Sequence, residues 1–202
     1  MDIFSDQSDA SPPVTKVGAV ILRLSANGAY EVLIAKPKPK NAGDHAPMGL
    51  VRGTRKYWAA ASQSYVDADH DGKTLPHGTV MWEPVRVTLA NEVAEEAGIP
   101  PAMLAQQRIH DLGVHPFASI NPHKTPYSIH WFVVVLDGEA QQAQADIAAR
   151  GGIADSLKTQ WMNVANINAF TMIRNPDAER ISPGYLPVIE AAIALVTRLG
   201  TN

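Results

Sequence analysis

Residues 91–99 read NEVAEEAGI, and they gather Glu92, Glu95 and Glu96 into five positions of a chain that is only 18% charged. Residues 83–90, EPVRVTLA, lead into this stretch and Pro100-Pro101 follow it. On a helix over residues 84–97, turning about 100° per residue, Glu95 lies about 60° to one side of Glu92 and Glu96 about 40° to the other. The three carboxylates therefore share one face. Leu89, Val93, Ala97, Ala90, Ala94 and Val87 fill the arc beside and behind them, a stripe suited to burial. Gly98 and the two prolines close the helix as a C-cap followed by residues that cannot continue it.

Like charges at i,i+3 and i,i+4 cost a few tenths of a kcal/mol each unless something compensates them. The helix itself offers no compensation, because the positions four residues beyond the glutamates are Glu96, Ile99 and Pro100. Clustered carboxylate oxygens on a rigid element suit a hard divalent cation such as Mg²⁺, with waters and a substrate phosphate completing its shell. A solvated acidic face is the competing reading, and spacing alone leaves both open.

From Glu83 to Ile99 the pattern resembles the Nudix box, G-x5-E-x7-R-E-U-x-E-E-x-G-U with U a bulky aliphatic residue. Glu83, the seven-residue spacer, Glu92, Val93, Glu95, Glu96, Gly98 and Ile99 all fall in place. The resemblance implies a Nudix α/β/α sandwich with a mixed central sheet, whose box helix binds Mg²⁺ or Mn²⁺. It also implies hydrolysis of the pyrophosphate bond in a nucleoside diphosphate linked to another moiety. Carried over by position, Glu92, Glu95 and Glu96 are the metal ligands. One of them, Glu92 first, orients or deprotonates the attacking water. Bound metal neutralises diphosphate charge and lowers the pKa of a ligated water.

Two positions depart from the box. Asn91 stands where the family has Arg, and an amide donates more weakly and carries no charge. Arg86 or a basic residue from the segment before the helix is the candidate substitute brace. The departure opens a second reading, a catalytically weak Nudix-like module that binds nucleotides as a sensor. The box glycine is also displaced: six positions before Glu83 is His77, and Gly78 is one residue too close. Gly53 in LVRGTR is the other candidate. It follows a strand directly, which favours it, and it makes residues 54–80 an insertion ahead of the box helix.

The rest of the chain fits an α+β or α/β sandwich. TKVGAVILRL and YEVLIAK flank SANGA, a hairpin signal. RIHDLGVHPF and YSIHWFVVVL are two more strands, EAQQAQADIAARGG a helix ended by glycines, and TQWMNV a short strand. Ser182-Pro183 open a last helix, with Ser as N-cap. Residues 1–13 form a polar lead-in, leaving 14–202 as one domain. Lys36 in AKPKPK and Arg52 and Arg55 in RGTRK are the candidate phosphate contacts beside Gly53. Phe117 or Tyr127 could stack on a base. Asp137 and Glu139 are distal candidates for the general base, with turn residues the stronger reading. DADHDG at 67–72 opens like a calcium loop, but position 12 is Gly78 and a polar turn is the better reading. His110 and His130 alternate with apolar neighbours, which predicts a solvated sheet face.

The net charge of −3 predicts no nucleic-acid partner and no anionic membrane. The absence of cysteine excludes disulfides and thiolate chemistry. No apolar run approaches the ~18 residues of a membrane span, and the N-terminus lacks a signal pattern, so the expectation is a soluble cytoplasmic protein. A small-molecule nucleoside diphosphate derivative is the expected partner, and a homodimer is a candidate assembly.

Overall fold

The β-branched, apolar run KVGAVILRL forms β1 (Lys16–Leu24), and YEVLIAKP forms β2 (Tyr30–Pro37). They pair antiparallel through Leu22–Val32 and Leu24–Tyr30, as the Asn-Gly signal predicts. The computed structural model describes residues 14–38, 48–60, 62–67, 81–117, 127–166 and 181–200. The lead-in and the calcium-loop-like motif lie outside these residues, apart from Asp67, whose backbone ends a strand.

β3 (Val51–Thr54) and a short hairpin of β4 (Lys56–Ala59) and β5 (Ser64–Asp67) precede α1 (Val85–Glu92). α2 (Pro101–Leu104), β6 (Arg108–Phe117) and β7 (Tyr127–Val135) follow. α3 (Gly138–Ala149), β8 (Ser156–Asn163) and α4 (Leu186–Gly200) complete the order. The main sheet runs β6-β7-β1-β2-β8, with β3 added against β1. It is mixed, since β1 and β7 are parallel and the other pairs antiparallel.

Strand alternation sends side chains to two cores. Val17, Ala19, Ile21, Leu33 and Val51 pack with Leu89, Val93 and Ala97 on one face. Val20, Leu22, Val32 and Ile34 pack with Val188, Ile189, Ala192 and Val196 of α4 on the other. Burying each such aliphatic side chain is worth about 1.5–3 kcal/mol. The result is the expected three-layer α/β/α sandwich. Within the predicted apolar stripe of α1, Leu89, Val93 and Ala97 are buried, but Val87 is exposed and Thr88 is buried in its place. Thr88 can be buried because its hydroxyl donates to the Glu83 carboxylate at 2.7 Å.

β1 places this architecture at the service of the acidic stretch. Its first half, Lys16 to Ala19, pairs with β3, and its last residues, Leu22 to Leu24, pair with β2 on the same edge. β2 and β3 therefore diverge from a common neighbour. The chain segment carrying Glu95 and Glu96 packs over that fork, against β2, β3 and β8.

One smaller expectation is corrected. The last helix opens with a 3-10 turn (Pro183–Tyr185), and the Ser182 hydroxyl makes no capping bond; it is buried with no hydrogen-bond partner among the described residues. His130 is half-buried on the partly solvated face: its ring stacks on Phe132 at 4.8 Å, and its Nε2 lies 2.9 Å from an exposed Asp111 carboxylate oxygen.

Candidate functional site

α1 does not continue as a regular helix through the acidic stretch. After Glu92 it widens into a π-helical turn (Val93–Ala97) that ends at Gly98, whose φ is 74°. Such turns interrupt helices mostly at functional positions. The carbonyls left open at the end of this turn are capped from far along the chain. The Asp155 N–H donates to Glu95 O at 2.8 Å, and the Ser156 hydroxyl donates to Glu96 O at 2.8 Å. These bonds bring the Asp155 carboxylate to the acidic face.

Glu92 and Glu96 form the inner pair of the predicted trio. Glu92 sits so close to β3 that a methyl group built on Gly53 would overlap its carboxylate. Only a residue without Cβ fits there, so Gly53 adjoins the acids directly, while Gly78 lies outside the described residues. Glu96 is fixed by the main chain of the same strand, where the Arg52 N–H donates to its Oε2 at 3.0 Å.

Burial pushes the Glu92 carboxyl up to about 8, with further upward pressure from Glu96, Glu95 and Asp155 and relief from Lys56. Burial likewise raises Glu96 to about 7, against the Arg52 N–H and charge, with Asp155 and Glu95 adding to the rise. Among the described residues none of the three glutamates has a salt-bridge partner. Both inner carboxyls thus have a raised proton affinity, and their acidic neighbours add to it.

No three acidic or histidine side chains among the described residues converge into a ready-made cation cage. The trio shares a face without closing on a point. This geometry fits Mg²⁺, which keeps several waters and takes one or two protein carboxylates plus substrate phosphate. Oxygen-only donors, one main-chain-fixed carboxylate and one half-open carboxylate meet that requirement.

The expected brace for the box is redistributed. The Asn91 side chain makes no hydrogen bond to a described residue. Arg86 does not replace the missing arginine, because its guanidinium lies 5.6 Å from the Phe132 ring. The basic group whose charge acts on Glu92 is Lys56, inside the segment read as an insertion.

The predicted phosphate contacts separate. Arg52 gives its N–H to Glu96, but its guanidinium lies among Phe117, Tyr127 and Tyr185, 4.9, 5.9 and 5.7 Å from the ring centroids, and donates to the Tyr127 hydroxyl. This arrangement also occupies Phe117 and Tyr127, the predicted stacking residues. Arg55 is buried, with Nε donating to Glu83 O at 2.9 Å and Nη1 to Val14 O at 3.4 Å. It ties the strand to the start of the box instead of facing a ligand. Lys36 shares the sheet face of Ile34, which belongs to the core on the α4 side, away from the box helix. Glu83 is buried and linked to the hairpin, its N–H donating to Lys56 O at 2.7 Å. Asp137 is no base: it caps α3, and the Ala140 N–H and the Gln107 side chain hold its carboxyl below the usual range. Sequence reasoning missed Asp155, since nothing in GGIADS marks an acid that returns to a helix some 60 residues earlier.

No protein-family model and no curated protein matches the chain by sequence. Solved structures do share its fold. One is a mutT/nudix family protein from Listeria innocua, with 14% identity and a TM-score of 0.52, covering 95% of this chain and 98% of that one. Another is Shewanella oneidensis NrtR in complex with a 27mer DNA, with 14% identity and a TM-score of 0.53, covering 92% of this chain. The chain spans 63% of the length of that NrtR. A third is the NUDIX domain of NrtR with ADP ribose, at 14% identity and a TM-score of 0.52, covering 95% of this chain and 94% of that one. The chain has the Nudix fold, as its box resemblance implies. The expectation of no nucleic-acid partner is corrected by the DNA complex of NrtR, a protein that shares this fold over part of its length. No helix among the described residues is long and apolar enough to cross a membrane.

Proposed function

We propose that this chain hydrolyses a phosphoanhydride bond in a nucleoside diphosphate derivative, using Mg²⁺ or Mn²⁺ held by Glu92 and Glu96 with Glu95 beside them. The observation that carries this reading is the half-buried Glu92–Glu96 pair, set against Gly53 and the Arg52 N–H, with Glu95 and Asp155 adding to its negative charge. A bound divalent ion supplies charge neutralisation of the diphosphate and a lowered pKa for a ligated water.

The chain's own residues supply the rest. Gly53 leaves room for the Glu92 carboxylate, and the Arg52 N–H holds Glu96 in place. Glu92, ionised once the charge of the site is compensated, orients or deprotonates the attacking water. Lys56 offers its ammonium to a phosphate next to Glu92. Residues 14–202 act as one Nudix domain in which 54–80 is an insertion that brings Lys56 to the box.

A panel of nucleoside diphosphate derivatives, ADP ribose among them, incubated with Mg²⁺ or Mn²⁺ tests the proposal. Release of mononucleotide by wild type, lost in Glu92→Gln and Glu96→Gln, supports it. Two observations favour a sensor as the second reading: Asn91 leaves the box without its arginine, and the chain matches a Nudix domain crystallised with ADP ribose from a protein also crystallised with DNA. Metal-dependent binding of ADP ribose without turnover, together with a mobility shift of duplex DNA, selects that reading.

A further inference from the structure

The β4–β5 hairpin stands outside the main sheet, and its two faces differ. Its register pairs Trp58 with Tyr65 and Lys56 with Asp67, and a bridge sets Tyr57 opposite Trp82. Alternation puts Arg55, Tyr57 and Trp82 on one face. That face is anchored: Arg55 is buried, its guanidinium 5.7 Å from the Trp82 ring, and Tyr57 meets Trp82 edge-on at 6.1 Å.

The opposite face carries Lys56, Trp58 and Tyr65, with Met81 beside Trp58 through the Trp58 N–H to Met81 O bond of 2.8 Å. Trp58 and Tyr65 are each 38% exposed and Met81 is 56% exposed. The two rings form an edge-to-face pair at 5.3 Å and 77°. Clustered exposed apolar side chains on a soluble domain mark a place of contact. Here the cluster begins one strand repeat, roughly 7 Å, from Lys56. Lys56 in turn lies three residues from Gly53, which touches Glu92. Lys56, whose charge acts on Glu92, thus links the acidic pair to the aromatic surface. Three side chains fall far short of the ~800 Å² per partner that a stable protein interface buries. They do suit a single aromatic ring joined to a charged group.

We propose that the Lys56, Trp58 and Tyr65 face of the β4–β5 hairpin holds the aromatic base of a nucleotide whose phosphates lie at the Glu92–Glu96 pair. This rests on the hydrolase reading above and names the part of the ligand that its site leaves open. Trp58 and Tyr65 are specificity-determining, not catalytic.

The test is calorimetric titration, in Mn²⁺, of α,β-methylene ADP and of methylenediphosphonate, which lacks the base, into wild type, Trp58→Leu, Tyr65→Leu and Trp58→Phe. Base stacking on an aromatic predicts that Trp58→Leu weakens the nucleotide by roughly tenfold. The diphosphonate stays unchanged, and Trp58→Phe restores most of the loss. An equal loss for both ligands, or an unchanged nucleotide affinity in both Leu variants, overturns the proposal alone. So does a change of sedimentation coefficient in Trp58→Leu with nucleotide affinity intact, which assigns the face to a protein contact. Wild type that binds neither ligand overturns this proposal and the hydrolase reading together.

Discussion

Replacing Glu92 by Gln should stabilise the metal-free protein and destabilise it relative to wild type once metal is present. Glu92 carries a carboxyl raised from 4.5 to about 8. Between those values the folded chain retains a proton that the unfolded chain has released, so the Glu92 contribution to stability is greatest at low pH, falls as pH rises and levels off above about 8. At ~1.4 kcal/mol per unit, discounted for the water-facing side of Glu92, the burden at pH 9 is roughly 2–3 kcal/mol. Gln has nearly the same shape and no charge to bury, so Glu92→Gln removes most of it. For a chain of this size that is a rise in Tm of about 4–12 °C. Mn²⁺ at a thousandfold excess over Kd reverses the order, since wild type gains about 4.1 kcal/mol and the variant gains little. Urea unfolding at pH 5, 7 and 9, in EDTA and in Mn²⁺, measures all of this. A Glu92→Gln variant that is less stable in EDTA at pH 9, or that gains as much from Mn²⁺ as wild type, refutes the reasoning.

Gly53→Ala drives a methyl group into the Glu92 carboxylate; it should weaken Mn²⁺ binding in calorimetry by about tenfold or more and lower stability by about 1–3 kcal/mol. Arg55→Met strands the Glu83 and Val14 carbonyls and should cost about 1–3 kcal/mol in urea unfolding, with the loss expressed equally with and without metal. Gly98→Ala forces a side chain into φ 74° against Ile147, and a calorimetric melt should show about 1–3 kcal/mol of destabilisation.

The parts of this molecule that were legible in its sequence are those fixed by short-range pattern. The strands β1, β2, β6 and β7 follow from apolar runs between turn signals, and α1 follows from the spacing of Leu89, Val93 and Ala97. The glutamates announce themselves because three like charges on one turn need an explanation. Other features depend on contacts between distant segments. The π-helical turn is held by Asp155 and Ser156, which a 3.6-residue period over 84–97 cannot foresee. The direction of Arg52 is set by the pairing of β3 with β1, and only that register reveals that its guanidinium and its N–H serve opposite faces. Arg55 looked like a phosphate contact because a basic residue near a glycine loop usually is exposed. Its burial depends on where Glu83 returns. Lys56 was visible only as one of several lysines until the hairpin placed it beside Glu92.

A divalent ion settles on the acidic face if Glu92 and Glu96 are its ligands. Anomalous diffraction at the manganese edge, on crystals soaked in Mn²⁺ with α,β-methylene ADP, should show a peak at the Glu92 and Glu96 carboxylates that vanishes in the Glu92→Gln, Glu96→Gln double variant. An empty acidic face at saturating Mn²⁺, or a peak that survives both substitutions, contradicts it.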